Sequence, residues 1–221
     1  MFHAVGVHTM PAHFASRRVI NFDKHAMNQT LTRRNTESIA LVALFAALLG
    51  VMGLIPKIDL PLGVHISIQT LGVMLAGCLL GPWRGLQAIG LFLVAVAAGL
   101  PLLSGGRGGL GVFMSPTTGY LVGWTAAAFV TGWLMALLPK STPLRAAGSA
   151  FAASAIGCIA VLYLFGIAGL VWIAKVPLTQ AIWVNAIFVP GDLIKCALTA
   201  LVVHSIARAM PDWRLGGVAS R

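Results

Sequence analysis

The segment Val189-Pro190-Gly191-Asp192-Leu193-Ile194-Lys195 sets a carboxylate and an ammonium three residues apart in a stretch that is otherwise apolar. On a helix that spacing puts both groups on one face. Proline suits the first helical position, where its missing N–H costs nothing. Asp192 is then expected in the first turn, where the helix dipole favours an anion. Two readings stand side by side. Ionisable groups in apolar surroundings are expensive and mark functional sites, and a self-neutralising pair can also simply pin a helix end.

Three further stretches carry polar chemistry. Gly105-Gly106-Arg107-Gly108-Gly109-Leu110-Gly111 contains a formal GxGxxG match at Gly106, Gly108 and Gly111. It lacks the strand–turn–helix setting that a dinucleotide site requires. The glycines predict a sharply turning loop with N–H groups able to face a ligand. Its one charge, Arg107, either sits in solvent or against lipid phosphate, or meets a ligand carboxylate. Ser115-Pro116-Thr117-Thr118-Gly119-Tyr120 has the proline and hydroxyls of a helix start. Tyr120 there is an interfacial aromatic or a cavity residue. His65, Ser67, Gln69 and Thr70 open another apolar run with unusual polarity. Gln69 offers a large amide either to a pocket or to an interhelical hydrogen bond.

What is missing narrows the chemistry. There is no GxxxxGK[ST] loop and no HExxH, and no nucleophile elbow is present. Of five acidic residues only Asp192 falls at membrane depth, too few for a proton relay. Cys78, Cys158 and Cys196 are odd in number and lie inside apolar runs, which argues against a disulfide framework and suits small apolar residues. The chain is therefore expected to be no enzyme, with no catalytic residues, no metal ligands and no cofactor.

The elements that hold these residues are read from composition. Hydrophobic residues make up 58% of the 221 and charged residues 9%, with a mean hydropathy of +0.91. A soluble domain carries roughly a quarter charged residues, so the chain cannot cover a soluble surface and is expected to be an all-α integral membrane protein. A crossing needs about 20 apolar residues, which allows six. They are expected near Ser38–Pro56, His65–Leu80, Gly85–Leu100, Thr117–Leu138, Arg145–Ile173 and Pro190–Met210, with 177–188 as a short loop helix. Residues 1–37 form a polar, basic N-terminal tail, of which 1–26 are a disordered extension or an over-extended start. Residues 38–210 form the ligand-binding membrane domain, and 211–221 a cytoplasmic tail. The net charge of +10 does not signal nucleic acid, because the basic residues sit singly between apolar runs. With the N-terminus inside, eleven Lys and Arg fall on inner segments and three, Lys57, Arg107 and Lys175, on outer loops. This bias puts both termini in the cytoplasm. Small residues at four-residue spacing, Gly77/Gly81/Gly85, Gly119/Gly123 and Ala43/Ala47, predict close helix packing or, on the exterior, a face for a partner subunit.

The run Ser67–Gly77 (SIQTLGVMLAG), the Gly105–Gly111 loop, SPTTGY and PGDLIK together resemble the BioY family in order and spacing, over about Ser38 to Ala209. That family is the biotin-specific S component of energy-coupling factor transporters. The resemblance implies a six-helix S-component fold in a bacterial inner (plasma) membrane. It implies biotin bound near the outer face as transported ligand, with Asp192, Lys195, Arg107, Gln69 and Tyr120 as the binding set. It also implies that the first-helix face bearing Ala43 and Ala47 docks on a transmembrane coupling (T) subunit joined to a pair of ABC-type ATPases. Lipid surrounds the bundle, and a second copy of the chain is a further candidate partner. The family's GPTGGY is SPTTGY here, with Ser115 and Thr118 in place of glycines. The ureido N–H groups of biotin suit Asp192, its carbonyl suits Gln69 or Tyr120, and its tail carboxylate suits Lys195 or Arg107. Alternatives are an S component for a vitamin with a flat aromatic ring, disfavoured because Tyr120 is the one aromatic in these motifs, and, further off, a membrane enzyme or a structural subunit.

Overall fold

The computed structural model describes residues 36–56, 58–59 and 65–217. The chain divides into two units, 1–40 and 41–221. The first contributes only the opening of a helix, and the expected basic tail lies outside the described residues up to Asn35. The elements are α1 (Thr36–Gly53), a hairpin of β1 (Ile58–Asp59) and β2 (His65–Ile66), α2 (Gln69–Leu80), α3 (Pro82–Ala97), a 3₁₀ turn (Leu110–Met114) and α4 (Thr118–Leu137). Then come α5 (Pro143–Trp172), α6 (Leu178–Ala209) and a last 3₁₀ turn (Leu215–Gly217). Among the described residues the architecture is all-helical but for the hairpin, in which Ile58 pairs with Ile66 and Asp59 with His65.

Among the described residues four helices, α1, α4, α5 and α6, are long and apolar enough to cross a membrane, while α2 and α3 have 12 and 16 residues. Their brevity has a local cause. His65 and Ile66 pair with β1, so α2 begins only at Gln69. At about 1.5 Å per residue, α2 is roughly 18 Å long. It is buried at every position except Thr70, so its neighbours are protein rather than lipid. Gly81 ends it in the left-handed region (φ 84°), and Pro82 immediately opens α3. The Gly77/Gly81/Gly85 spacing is thus a corner and not a continuous stripe. Gly77 lets α2 approach α4, where a Cβ would stand 2.8 Å from the Ala128 carbonyl oxygen.

Helix α6 departs most from expectation. The run 177–188 is no loop helix, because α6 continues from Leu178 straight through Pro190. Proline there forfeits one hydrogen bond to the preceding turn. In apolar surroundings, ending the helix would expose several backbone groups instead of one. Asp192 therefore lies mid-helix, no acidic residue occupies the first turn, and the dipole explanation for its position falls. Helix α5 is continuous too, but winds through a π-helical segment at Ile156–Val161.

At the end of the bundle where α4 meets α5, Lys140 Nζ donates to the carbonyls of Met135 (2.7 Å), Ala136 (3.0 Å) and Leu138 (3.2 Å), closing the C-terminus of α4. Burial pushes the Lys140 pKa below the ordinary lysine value. The stretch read as a C-terminal tail is packed as far as Gly217. Trp213 Nε1 donates to the Leu79 carbonyl (3.3 Å), and Leu215 is buried. Gly216, at φ 68°, leaves no room for a side chain beside Met135 and Ala136.

Candidate functional site

The opposite end of the bundle holds a cavity of about 580 Å³ of atom-free space, its open mouth included. Five separate stretches wall it: the entry to α2, the glycine-rich loop, the first turns of α4, the second half of α5, and the middle of α6. All five residues expected to bind ligand, Gln69, Arg107, Tyr120, Asp192 and Lys195, line this one space.

Asp192 and Lys195 form its charged floor. Lys195 Nζ donates to Asp192 Oδ1 (2.8 Å), to the Ser67 carbonyl (2.8 Å) and to Thr70 Oγ1 (2.7 Å). An ammonium has three protons, so all three are placed. Side-chain exposure is 12% for Lys195 and 6% for Asp192, which makes this a nearly dry ion pair. The other carboxylate oxygen, Oδ2, accepts from the Tyr163 hydroxyl at 2.7 Å. An ionised carboxylate accepts about four hydrogen bonds, so Asp192 keeps acceptor capacity beyond these two.

Gln69 is fully engaged. Its Nε2 donates to the carbonyls of Leu49 (2.9 Å) and Leu102 (3.0 Å). Its Oε1 accepts from the backbone N–H (3.1 Å) and the hydroxyl (3.0 Å) of Ser104. One amide thus joins α1, α2 and the loop, with both donors and both acceptor positions taken. The loop itself reverses tightly. Gly105 and Gly106 are left-handed (φ 82° and 69°), which returns Arg107 to pair with Leu103 through two backbone hydrogen bonds of 3.0 and 3.2 Å. This places half-buried Arg107 on the cavity wall. The tight turn is what the glycines were expected to supply.

The hydroxyls that replace glycines at the start of α4 turn away from the cavity. Ser115 Oγ donates to the Val112 carbonyl (2.7 Å) and Thr118 Oγ1 to the Ser115 carbonyl (2.7 Å). They close the turn that opens the helix, and of this segment Thr117 and Tyr120 reach the lining. The Tyr120 hydroxyl donates to Asn185 Oδ1 (2.9 Å), whose Nδ2 is held by the Ala181 carbonyl (2.8 Å). Gly119 meets Gly169 of α5 across this seam, so α4 and α5 approach almost backbone to backbone.

Sequence reasoning missed Tyr163, Asn185 and the aromatic walls. Trp124, Tyr163 and Phe188 line the cavity beside Tyr120. Phe188 packs between the two tyrosines, at ring-centroid distances of 6.3 and 6.4 Å. The premise that Tyr120 is alone does not hold, and aromatic platforms are present. The chain has two tyrosines, and both face this space.

Long apolar helices, a cavity at one end and a buried ion pair at its floor are those of a multi-pass membrane protein with a small-ligand site. The comparisons agree and are more specific. The sequence profile of the BioY family matches residues 24–212. The biotin transporter BioY of Rhodobacter capsulatus is 44% identical over 185 residues, covering 79% of this chain and 95% of that protein. That of Rhizobium etli is 46% identical over 180 residues, covering 80% and 96%. A crystal structure of the S-component for biotin from an ECF-type ABC transporter superposes with a TM-score of 0.70 at 28% identity, covering 80% of this chain and 93% of that one. The chain belongs to the BioY family.

Proposed function

We propose that this chain captures biotin in the cavity between α2, α4, α5 and α6 and delivers it across the membrane. The observation that carries the reading is the buried Asp192, held on both oxygens by Lys195 and Tyr163 beneath apolar and aromatic walls. A ureido ring offers two N–H donors to such a carboxylate, while its thiophane ring and aliphatic tail suit the walls. Tyr120 supplies a donor to the ureido carbonyl by turning its hydroxyl from Asn185. Arg107 meets the tail carboxylate, since the protons of Lys195 are already placed, and Lys195 keeps Asp192 oriented. Gln69 holds the wall in place.

In this reading α2, enclosed by protein, and α3, which keeps Trp83, Leu91 and Val94 exposed, complete six crossings, and both termini are cytoplasmic in a bacterial inner membrane. The cavity then opens outward. ATP hydrolysis takes place on a pair of ABC-type ATPases reached through a transmembrane coupling subunit. The support for the docking face is that Ala43, Ala47 and Val51 are exposed at four-residue spacing along α1, where small residues permit close helix approach. The four lining aromatics favour a second reading, a vitamin with a flat ring, which competition by riboflavin and thiamine separates.

The test is equilibrium binding of labelled biotin to the detergent-purified chain beside Asp192→Asn. Tight binding lost in the variant is expected. Absence of binding by well-folded wild type, across a panel of vitamins, would refute the assignment.

A further inference from the structure

The floor of the cavity contains a group that the binding set does not use. Tyr163 is two residues beyond the π-helical turn Ile156–Val161 of α5. A π turn carries an extra residue relative to an α turn. Each residue of an α-helix turns the chain by roughly 100°. Without that extra residue, Tyr163 would point roughly a quarter-turn or more away from α6. The π segment lies where α5 crosses α4. Gly157 there would set a Cβ 2.9 Å from the Ala127 carbonyl oxygen, and Cys158 is completely buried. After the turn, Leu162 and Tyr163 both reach the cavity. The Tyr163 ring packs on Phe188, and its hydroxyl donates to Asp192 Oδ2 at 2.7 Å.

We propose that Tyr163 is a positioning residue that sets ligand specificity, fixing Asp192 as a pure acceptor aimed at a paired N–H donor. This deepens the reading of the cavity as a biotin site and rests on it. With Lys195 on one oxygen and Tyr163 on the other, neither oxygen can rotate away from its place. The capacity left on Asp192 is acceptor capacity only, so a group bearing two N–H donors fits and one bearing acceptors is repelled. Removing the Tyr163 hydroxyl frees Oδ2 to turn or to take a water, and the carboxylate then no longer reports how many N–H groups the ligand brings. The ring contact with Phe188 is a separate function of the same side chain.

The experiment compares wild type, Tyr163→Phe and Tyr163→Gln, each purified as the full chain and checked for a monodisperse state. Each is titrated with biotin and with biotin methylated on a ureido nitrogen. Tyr163→Phe keeps the ring and loses the donor, and Tyr163→Gln does the reverse. The phenylalanine variant is expected to bind biotin about tenfold more weakly, the scale of one hydrogen bond to a charged group. Its affinity for the methylated analogue should be nearly unchanged, so discrimination between the two ligands collapses. The glutamine variant should retain discrimination. Equal weakening for both ligands, unchanged biotin binding in the phenylalanine variant, or discrimination that follows the ring rather than the donor would each overturn the proposal while leaving the biotin site standing. Failure of wild type to bind biotin would overturn both together.

Discussion

Replacing Lys195 with methionine removes three hydrogen bonds of 2.7–2.8 Å at once and leaves Asp192 charged in a site where its side chain is 6% exposed. The apolar stem is kept, so packing changes little. Breaking a buried ion pair by deleting one partner costs about 3–5 kcal/mol, most of it the expense of the stranded carboxylate. In a chain of this size each kcal/mol shifts the thermal midpoint by about 2–4 °C, so a fall on the order of 10 °C is expected in detergent. Adding Asp192→Asn removes the stranded charge. What remains is neutral polar atoms short of a partner, at about 1–3 kcal/mol. The double variant should therefore recover roughly 2 kcal/mol relative to Lys195→Met alone, while binding biotin no better than either single variant. The measurement is a set of thermal melts over the four-protein cycle, each with a biotin titration. A small loss in Lys195→Met, or a second loss simply added by Asp192→Asn, would show that the pair is not a dry, coupled unit and that its role in orienting the carboxylate is misread.

Arg107→Ala should weaken biotin about 10- to 100-fold, as expected for a lost charge-assisted hydrogen bond, yet hardly affect biotinamide. Calorimetry that finds equal losses for both ligands would assign Arg107 to the loop rather than to the tail carboxylate. Gly119→Ala would set its Cβ 2.8 Å from the Gly169 Cα, and overpacking of this kind costs about 1–3 kcal/mol. An unchanged melting temperature for that variant would refute the backbone-to-backbone seam between α4 and α5.

The residues legible in the sequence were those whose chemistry conflicts with their surroundings. Asp192 and Lys195 stand out because charge is costly among apolar neighbours. Arg107 stands out because a run of glycines isolates it. Tyr163 was silent, since a tyrosine in a long apolar helix disturbs no pattern, and only the fold shows that its hydroxyl meets Asp192. Asn185 was hidden because Pro190 suggested a helix start and left the preceding residues in a loop. That stop signal is calibrated on water, where a broken helix finds other hydrogen-bond partners. In apolar surroundings continuation costs less. The π turn had no sequence signature either, because it arises where Gly157 lets α5 press against α4. The late start of α2 depended on pairing between His65–Ile66 and Ile58–Asp59, which local propensity does not encode.

The completeness of the polar network explains why one end of the bundle is a receptor and not a reaction centre. Gln69 has both donors and both acceptor positions occupied, and Lys195 has all three protons placed. Groups so engaged are poor proton shuttles and nucleophiles, but they are stiff. A stiff wall reduces the ordering that binding would otherwise require. The capacity left on the floor is that of Asp192, whose oxygens each hold one partner and accept more. The charged floor thus leaves room for a pair of donors facing Asp192. A ligand that supplies them completes the network without any bond being made or broken, which is what a capture protein requires of a molecule it must release unchanged.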